Sequence, residues 1–374
     1  MDTKTKKRFK GLSDQKKSLD LRLSTISKKR ILLHCASLGE YEQALPIINW
    51  VIDNTEFDIC ISFFSPSGYE NCILPEVRCI KCYLPFDRNY DMKSFLKKIN
   101  PQKVIITKNE WWWNMLKILK SNSISTFLFS STIRKNHYFI MIPLSFFKKR
   151  LSAFSSIFVL NAASKESLST VCSGNIVVSG DTRKDQVVSI RSSTSINKKS
   201  EPTVIYGSVW LSDLPIIKEM ISELSNFNHF VYPHNLTPEN VNSMCTELNC
   251  NNRHSISHLS GTFIIDSMGQ LKRDYSSAHI AYIGGGFGDG IHNILEAAVY
   301  NIPTIFGPRY YKSEEAKELI QMKAAYSVAN INQVIPILQK LCTNEYQEEI
   351  NLKLNDYFSA SKSATEIICS EIFQ

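Results

Sequence analysis

Short apolar runs alternate with amphipathic stretches along most of the chain. The apolar runs predict strands buried in a sheet, and they cover residues 31–36, 57–64, 77–84, 103–107, 125–129, 156–160, 203–206, 229–232, 262–265, 280–283 and 304–306. Helices are predicted for residues 41–52, 214–224, 238–248, 291–300, 314–322 and 360–373. Alternating strands and helices predict an α/β protein of the doubly wound type, with mainly parallel sheets covered on both faces.

A polar stretch, residues 191–201, interrupts this alternation and is predicted to be a linker. The domains expected around it are a leader of residues 1–30, a first doubly wound domain of residues 31–190, a second of residues 202–352 and a closing helical segment of residues 353–374. A chain of 374 residues is long enough for two such domains. Ligands of these sheets bind beyond the carboxyl ends of the strands, so the residues after each strand are the candidates for chemistry.

The net charge of +8 is concentrated at the start of the chain. Residues 1–30 carry eleven Lys and Arg side chains against three Asp, whereas basic and acidic side chains balance in the rest. We expect this basic leader to lie against an anionic surface such as lipid headgroups or RNA, and a solvated tail is the alternative. The most apolar stretch, residues 138–147, is broken by Pro143 and falls short of the roughly 18 residues of a membrane-spanning helix, so no transmembrane anchor is expected.

Composition excludes several classes of protein. With 43% hydrophobic and 21% charged residues, the chain is neither disordered nor collagen-like. Its ten cysteines are irregularly spaced, and the one CxxC pair, Cys79 and Cys82, falls inside a predicted strand, so no metal site is expected. Unpaired thiols in apolar segments suit a reducing compartment, which predicts a cytoplasmic location.

A cluster of glycines gives the strongest indication of a ligand site. Five of the fourteen glycines lie between residues 284 and 290, directly after a predicted strand and before a predicted helix. Their free N–H groups are expected to bind an anion, and a tight strand-to-helix turn is the alternative. Near the start of that helix Glu296 is placed to accept hydrogen bonds from ribose hydroxyls, while His292 or Asn293 faces a phosphate; for Glu296 the alternative is compensation of the helix dipole.

Two further clusters follow predicted strands of the first domain. Glu40, in the first turn of a helix after Gly39, is a candidate general base, with a favourable helix-dipole interaction as the alternative. Trp111, Trp112 and Trp113 cannot all enter one core, so at least one is expected to face a cleft or partner and to stack on sugars or acyl chains. The apolar and basic segment 137–150 suits a membrane interface or a core equally well. No Asp-x-Asp pair occurs, so a metal-free transfer is favoured.

Together these motifs resemble one family, the 3-deoxy-D-manno-octulosonic acid (Kdo) transferases of lipopolysaccharide synthesis. The resemblance covers about residues 31–320 in order. It rests on Ser37-Leu38-Gly39-Glu40, Glu110-Trp111-Trp112-Trp113-Asn114, Gly180-Asp181-Thr182-Arg183-Lys184-Asp185, Asp266-Ser267-Met268-Gly269, Gly285-Gly286, His292-Asn293-Ile294-Leu295-Glu296 and Phe306-Gly307-Pro308.

The resemblance implies a GT-B glycosyltransferase, with two Rossmann-like domains facing each other across a cleft. Such an enzyme moves Kdo from CMP-Kdo to the tetraacylated lipid A precursor at the cytoplasmic face of the inner membrane, with inversion. No cofactor beyond the donor substrate and no nucleic acid partner is expected, and the enzyme would be peripheral to the membrane.

The resemblance also assigns residues. Glu40 would be the proton acceptor. The donor contacts expected from the family's positions are Pro233, His234, Met268, Gly269, Gln270, Asn293, Ile294, Leu295 and Glu296. Contacts to the donor phosphate or carboxylate are expected from Arg183, Gly285, Gly286 and His292. The residues expected on the acceptor side are Ser37, Gly39, Glu110, Trp112, Asn114 and Arg134.

The sequence departs from the family pattern at three places. Residues 1–30 are basic where the family has a hydrophobic anchor. An arginine is missing from Tyr232-Pro233-His234, and Arg134 is a candidate replacement. The family's Gly-Gly-His-Asn is here Gly290-Ile291-His292-Asn293.

Three other functions remain open on the sequence. A sugar-nucleotide 2-epimerase shares the architecture but has no use for Trp111–Trp113 or for segment 137–150. A degenerate nucleotide-binding module would bind CMP without turnover. RNA binding rests on the basic leader alone and would depend strongly on salt.

Overall fold

The computed structural model describes residues 3–26, 29–75, 77–132, 150–194, 201–256, 260–359 and 362–374. These divide into two compact units, called here unit 1, residues 1–186 with 362–374, and unit 2, residues 187–361. Each unit contains a seven-stranded sheet in which all paired strands are parallel. The α/β class predicted from the sequence is therefore confirmed.

Unit 1 is built on strands β1–β7 in the order β3-β2-β1-β4-β5-β6-β7. The strands are β1 Arg30–Cys35, β2 Asp58–Phe63, β3 Cys79–Tyr83, β4 Lys103–Thr107, β5 Ser125–Ser131, β6 Ser156–Val159 and β7 Asn175–Val178. Its helices are α1 Thr3–Leu23, α2 Leu38–Asn54, α3 Pro66–Asn71, α4 Asn89–Ile99, α5 Trp113–Ser121, α6 Ala162–Ser169, the start of α7 Thr182–Ser193, and the last helix of the chain, α15 Ala364–Ile372. Every residue of β1 and β2 is buried, as expected for strands covered on both faces.

Unit 2 repeats the plan in the order β10-β11-β9-β8-β12-β13-β14. The strands are β8 Thr203–Val209, β9 Asn228–Pro233, β10 Asn251–Arg253, β11 Thr262–Ile265, β12 Ile280–Ile283, β13 Thr304–Phe306 and β14 Ala325–Ser327. The helices are α8 Leu214–Glu223, α9 Pro238–Leu248, α10 Leu271–Asp274, α11 Leu295–Ala298, α12 Glu314–Gln321, α13 Ile331–Leu341 and α14 Asn344–Ser359, with short 3₁₀ turns at Leu211–Asp213 and Tyr275–Ser277.

Every strand predicted from the apolar runs is present. The strands that the pattern missed, β7, β10 and β14, each lie at the edge of a sheet. Edge strands are short and partly exposed, which weakens their apolar signal; all three residues of β10 are exposed. The helix predicted over residues 291–300 is helical only at Leu295–Ala298, because Ile291 and His292 donate their N–H groups to Arg309 and Gly284 across the loop.

The basic leader is part of unit 1. Helix α1 lies along β3, and its Arg8 donates hydrogen bonds to the carbonyl oxygens of Phe64 and Leu84. Gln15 forms a reciprocal pair with the backbone of Tyr83, at 2.8 and 2.5 Å. The alternative of a solvated tail is therefore wrong, although the lysines of α1 stay exposed.

The ends of the two units also differ from the predicted bounds. Helix α7 continues to Ser193, into the stretch predicted to be a linker, and residues 195–200 lie outside the described residues. The predicted closing segment is divided, because α14 belongs to unit 2 whereas α15 belongs to unit 1. Asp185 caps α15 by accepting hydrogen bonds from the N–H and the hydroxyl of Thr365, at 2.7 and 2.6 Å. Within the described part of the chain no helix is both long and apolar enough to cross a membrane.

Candidate active site and nucleotide site

The candidate base lies where the strand order of unit 1 reverses. Strands β1 and β4 are neighbours there, and the chain leaves them in opposite directions. The side chain of Ser37 begins α2 by accepting a hydrogen bond from the N–H of Glu40 at 3.4 Å. This cap places Glu40 in the first helical turn, at the switch point where ligands of doubly wound sheets bind.

The carboxylate of Glu40 is buried and held in one orientation. Its Oε2 accepts a hydrogen bond from the N–H of Ala36 at 2.6 Å. Burial raises the pKa of Glu40, while the Ala36 N–H, the Lys108 ammonium and the Ser37 N–H oppose this rise. The result is a fixed carboxylate that binds a proton more strongly than an exposed one does, as a general base requires.

A second carboxylate and a lysine follow β4, next to this site. Burial and, to a smaller extent, the charge of Glu40 raise the pKa of Glu110 to about 7, against the opposing effect of Lys108. Lys108 adopts φ +59°, a left-handed conformation that costs energy for a residue with a Cβ and that clusters at functional sites. No role was predicted for Lys108 from the sequence, although its position directly after β4 marks it as a candidate site residue.

The other residues predicted on the acceptor side have mixed environments. A Cβ added at Gly39 would meet no atom within 4 Å, so space lies open beside Glu40. Trp112 is half-buried and packs edge-on against His34, with ring centroids 5.5 Å apart. Asn114 is held in the first turn of α5 by Asp87, which accepts its N–H at 2.9 Å, so its role in the fold is structural. Arg134 lies outside the described residues, as does nearly all of segment 137–150.

Arg183 belongs to unit 1, whereas the other predicted donor contacts belong to unit 2. Its guanidinium pairs with the carboxylate of Asp181 at 2.5 Å, and Asp181 also accepts a hydrogen bond from Gln43 at 3.0 Å. Burial alone would raise the pKa of Asp181, but Arg183 and the hydrogen bonds lower it below its usual value. The guanidinium of Arg183 is thus held by Asp181, two residues earlier in the chain.

The strand order of unit 2 reverses between β8 and β12, and a buried carboxylate joins the loops that follow them. Asp213, which is fully buried, accepts hydrogen bonds from the N–H of Trp210 at 2.8 Å, the N–H of Gly285 at 2.9 Å and the hydroxyl of Tyr282 at 3.0 Å. Asp213 therefore fixes the glycine turn to the end of β8. No role was predicted for Asp213 from the sequence, although an isolated acidic residue shortly after a buried strand indicates a candidate site residue.

Three glycines of residues 284–290, namely Gly284, Gly285 and Gly286, are required by packing inside the turn. A Cβ on Gly285, which has φ +91°, would lie 2.4 Å from the carbonyl oxygen of Gly290, and one on Gly286 would lie 2.5 Å from the nitrogen of Gly307. The N–H groups of Gly288 and Gly290 donate to the carbonyl oxygen of Gly285 at 2.9 and 3.1 Å. The N–H of Gly284 donates to the carbonyl oxygen of Gly207 at 2.8 Å. The expectation of free N–H groups is thus wrong for Gly284, Gly285, Gly288 and Gly290, and the tight-turn alternative accounts for these glycines.

Four of the predicted donor residues line one cavity of unit 2. The cavity measures about 730 Å³, and its walls include Pro233, His234, Met268 and Gly269. Pro233 ends β9, His234 follows it, and Met268 and Gly269 follow β11, so the cavity opens at the carboxyl edge of the sheet; it is called here the donor cavity. Gln270 continues this loop and precedes α10.

The segment from Asn293 to Glu296 forms a small polar network beside a buried core. The side chain of Asn293 accepts a hydrogen bond from the N–H of Leu295 at 3.2 Å and donates one to the Glu296 carboxylate at 3.3 Å. Lys272 lies 3.5 Å from the same carboxylate oxygen. The side chains of Ile294 and Leu295 are in the core, so only their backbone can touch a ligand. No group of three metal-binding side chains occurs among the residues described.

Several solved structures share this architecture. A UDP-GlcNAc 2-epimerase from Neisseria meningitidis matches with a TM-score of 0.61 and 12% identity, over 92% of this chain and 100% of that one. MurG from Acinetobacter baumannii matches with a TM-score of 0.60 and 11% identity, over 92% of this chain and 99% of that one. The fold of this chain is therefore of the GT-B class.

The sequence comparisons narrow this class to a family. Residues 4–186 match the family model of the 3-deoxy-D-manno-octulosonic-acid transferases (Kdo transferases). A bifunctional glycosyltransferase/methyltransferase of Fusobacterium nucleatum is 23% identical over 357 residues, which are 89% of this chain, and the chain spans 55% of that protein. The 3-deoxy-D-manno-octulosonic acid transferase of Rickettsia typhi is 25% identical over 335 residues, 83% of this chain and 71% of that protein. The chain is thus similar to Kdo transferases along most of its length.

Proposed function

We propose that this protein transfers Kdo from CMP-Kdo to the tetraacylated lipid A precursor in lipopolysaccharide synthesis, without a metal ion and with inversion. The observation that carries the proposal is the carboxylate of Glu40, fixed by the Ala36 N–H at the switch point of unit 1. A carboxylate in this setting has the chemistry of a general base, and the similarity to Kdo transferases indicates which sugar is transferred.

The acceptor step assigned to unit 1 is proton removal. As the acceptor hydroxyl oxygen bonds to the anomeric carbon of Kdo, its proton passes to Glu40. Burial makes Glu40 a stronger base, and Lys108 keeps it ionised before the reaction. The open space beside Gly39 allows the sugar to approach this carboxylate.

The donor step assigned to unit 2 is binding and departure of CMP. The bond between the anomeric carbon and the phosphate oxygen breaks, and CMP leaves with the electron pair. Glu296 is proposed to hold the ribose hydroxyls, in agreement with its position next to the donor cavity loops. Two cations at this edge, Lys272 beside Glu296 and Arg309, are proposed to stabilise the charge on the departing phosphate; Arg309 donates a hydrogen bond to the carbonyl oxygen of Gly288 at 2.7 Å.

The experiment that tests this proposal compares donors and acceptors in one assay. The protein is incubated in EDTA with freshly generated CMP-Kdo, with and without the lipid A precursor, and separately with UDP-GlcNAc. Acceptor-dependent release of CMP supports the proposal. Epimerised UDP-GlcNAc would support the 2-epimerase instead, and CMP binding without release would support a degenerate module.

A change at Lys108 is expected to move the pH dependence of transfer. Because the ammonium lowers the pKa of Glu40, Lys108→Met raises that pKa. A base works only when ionised, so the acid limb of the kcat/KM profile moves to higher pH. Lys108→Arg keeps the charge and is expected to leave the limb in place. Profiles of the two variants and the wild type provide the measurement, and an unmoved limb in Lys108→Met would exclude this coupling.

We also propose that α1 binds the anionic membrane surface. Lys6, Lys10 and Lys17 are exposed and recur at helical spacing on one stripe of this helix. Each lysine near such a surface contributes about 1 kcal/mol, so changing all three to Gln is expected to weaken binding to vesicles containing anionic lipid by about 10²-fold at low salt. The control changes three exposed lysines of unit 2, Lys312, Lys323 and Lys340, to Gln. Equal weakening by both triple variants in vesicle sedimentation would count against a surface specific to α1.

A further inference from the structure

The indole of Trp210 lies at the centre of a ring cluster in unit 2. Trp210 follows β8, lines the donor cavity together with His234, and keeps 38% of its surface exposed. Its backbone N–H is anchored on Asp213, so the ring leaves the sheet from a fixed point. None of the motifs that identify the family includes this residue.

The three rings have a defined arrangement. The indole and the imidazole of His292 are nearly parallel, at 15°, with centroids 6.4 Å apart, and the indole Nε1–H donates a hydrogen bond to Nε2 of His292 at 3.0 Å. The two rings therefore lie side by side. The imidazole of His234 stacks across both of them, with centroids 4.5 Å from each.

The hydrogen bond determines which nitrogen of His292 carries the proton. An indole N–H can only donate, so Nε2 must accept and cannot hold a proton itself. A neutral His292 then carries its proton on Nδ1. Burial, together with the nearby His234, lowers the pKa of His292 to about 4, which keeps the ring neutral at physiological pH.

The Nδ1 atom of His292 is available to a ligand. His292 is only partly buried, and among the described residues none forms a hydrogen bond with its Nδ1. The next residues in the chain, Asn293 to Glu296, are those proposed to hold the donor.

We propose that Trp210 is a positioning residue of the donor site, which holds His292 as the Nδ1–H tautomer so that this imidazole donates a hydrogen bond to the phosphate of the sugar nucleotide. The inference rests on the proposed function, because it takes the donor to be a cytidine nucleotide. Without the indole, His292 is free to place its proton on Nε2, and Nδ1 then repels a phosphate oxygen instead of binding it.

The first measurement reads the tautomer in the free protein. In protein labelled with ¹⁵N-histidine, long-range ¹H–¹⁵N spectra distinguish protonated from unprotonated ring nitrogens, and the signals of His292 are assigned by their loss in His292→Gln. We expect a protonated Nδ1 in the wild type. In Trp210→Phe, which keeps a flat ring but has no N–H, we expect Nε2 to become protonated at least in part. An unchanged tautomer would overturn the proposal.

The second measurement reads the consequence for binding by calorimetry with CMP and with cytidine. Loss of a hydrogen bond to an anion predicts that Trp210→Phe weakens CMP binding by about 5- to 10-fold. Cytidine has no phosphate, so its affinity is expected to change much less. Equal weakening of both ligands, or of neither, would contradict a role through the phosphate.

Substitutions of His292 give a test that does not depend on how Trp210→Phe folds. The amide nitrogen of Asn matches the position of Nδ1, whereas that of Gln matches Nε2. His292→Asn is therefore expected to bind CMP more tightly than His292→Gln, and the reverse order would overturn the proposal. If the wild type fails to bind CMP, the proposed donor is wrong, while the tautomer measurement still decides the role of Trp210 in orienting His292.

Discussion

Glu40→Gln is expected to lower the rate of Kdo transfer by at least about 10²-fold, the usual contribution of a general base. Glutamine has the shape of glutamate and can still accept the hydrogen bond from the Ala36 N–H, so the first turn of α2 is expected to survive. It cannot accept the proton of the acceptor hydroxyl. Single-turnover transfer with a saturating acceptor measures the effect, and the affinity for CMP, which unit 2 is proposed to bind, is expected to stay unchanged.

The control for this variant is Glu56→Gln. Glu56 precedes β2, so it lies at the amino ends of the strands, whereas Glu40 lies at their carboxyl ends. Its exposed carboxylate pairs with Lys29 at 2.9 Å. This change removes the same charge from the same unit and is expected to leave transfer at the wild-type rate. A folded Glu40→Gln protein that transferred Kdo at the wild-type rate would show that another group takes the proton.

Asp213→Ala is expected to destabilise unit 2 by about 3–5 kcal/mol and to abolish tight CMP binding. The change leaves three buried donors, those of Trp210, Gly285 and Tyr282, without an acceptor, at a cost of about 1–3 kcal/mol each before water relieves part of it. Because Asp213 joins the end of β8 to the glycine turn, both loops are expected to open. Hydrogen exchange followed by mass spectrometry reports protection of residues 280–290 directly.

A matched control for Asp213 lies in the same turn. Asp289 is exposed, and Asp289→Ala is expected to keep both the protection of residues 280–290 and the affinity for CMP. Wild-type exchange in Asp213→Ala would mean that the turn is held by its own glycine contacts rather than by the carboxylate.

Much of the fold was predictable because central strands of a parallel sheet are buried on both faces. Such strands form continuous apolar runs, as β1 and β12 do. The edge strand β10 has no buried residue, so no apolar run marks it. The packing of residues 1–30 against the first domain was missed for a different reason. Their contacts, such as that of Gln15 with Tyr83, join residues far apart in the sequence.

The candidate site was predictable only in part. Glu40 and Glu110 follow strands, and both lie in the motifs that carry the family resemblance. Lys108 matters because β4 pairs with β1, and Asp213 matters because β12 pairs with β8; neither pairing can be derived from the sequence pattern. The role of Trp210 depends on the geometry of three rings, which the sequence pattern does not predict.

The mass of the acceptor after reaction with the wild-type protein tests the central claim most directly. The protein is incubated in EDTA with CMP-Kdo and the tetraacylated precursor, and the lipid is analysed by mass spectrometry. We expect a precursor that is heavier by one or more Kdo residues, and the mass gives their number. An unmodified precursor, from a folded protein that binds CMP, would contradict this expectation.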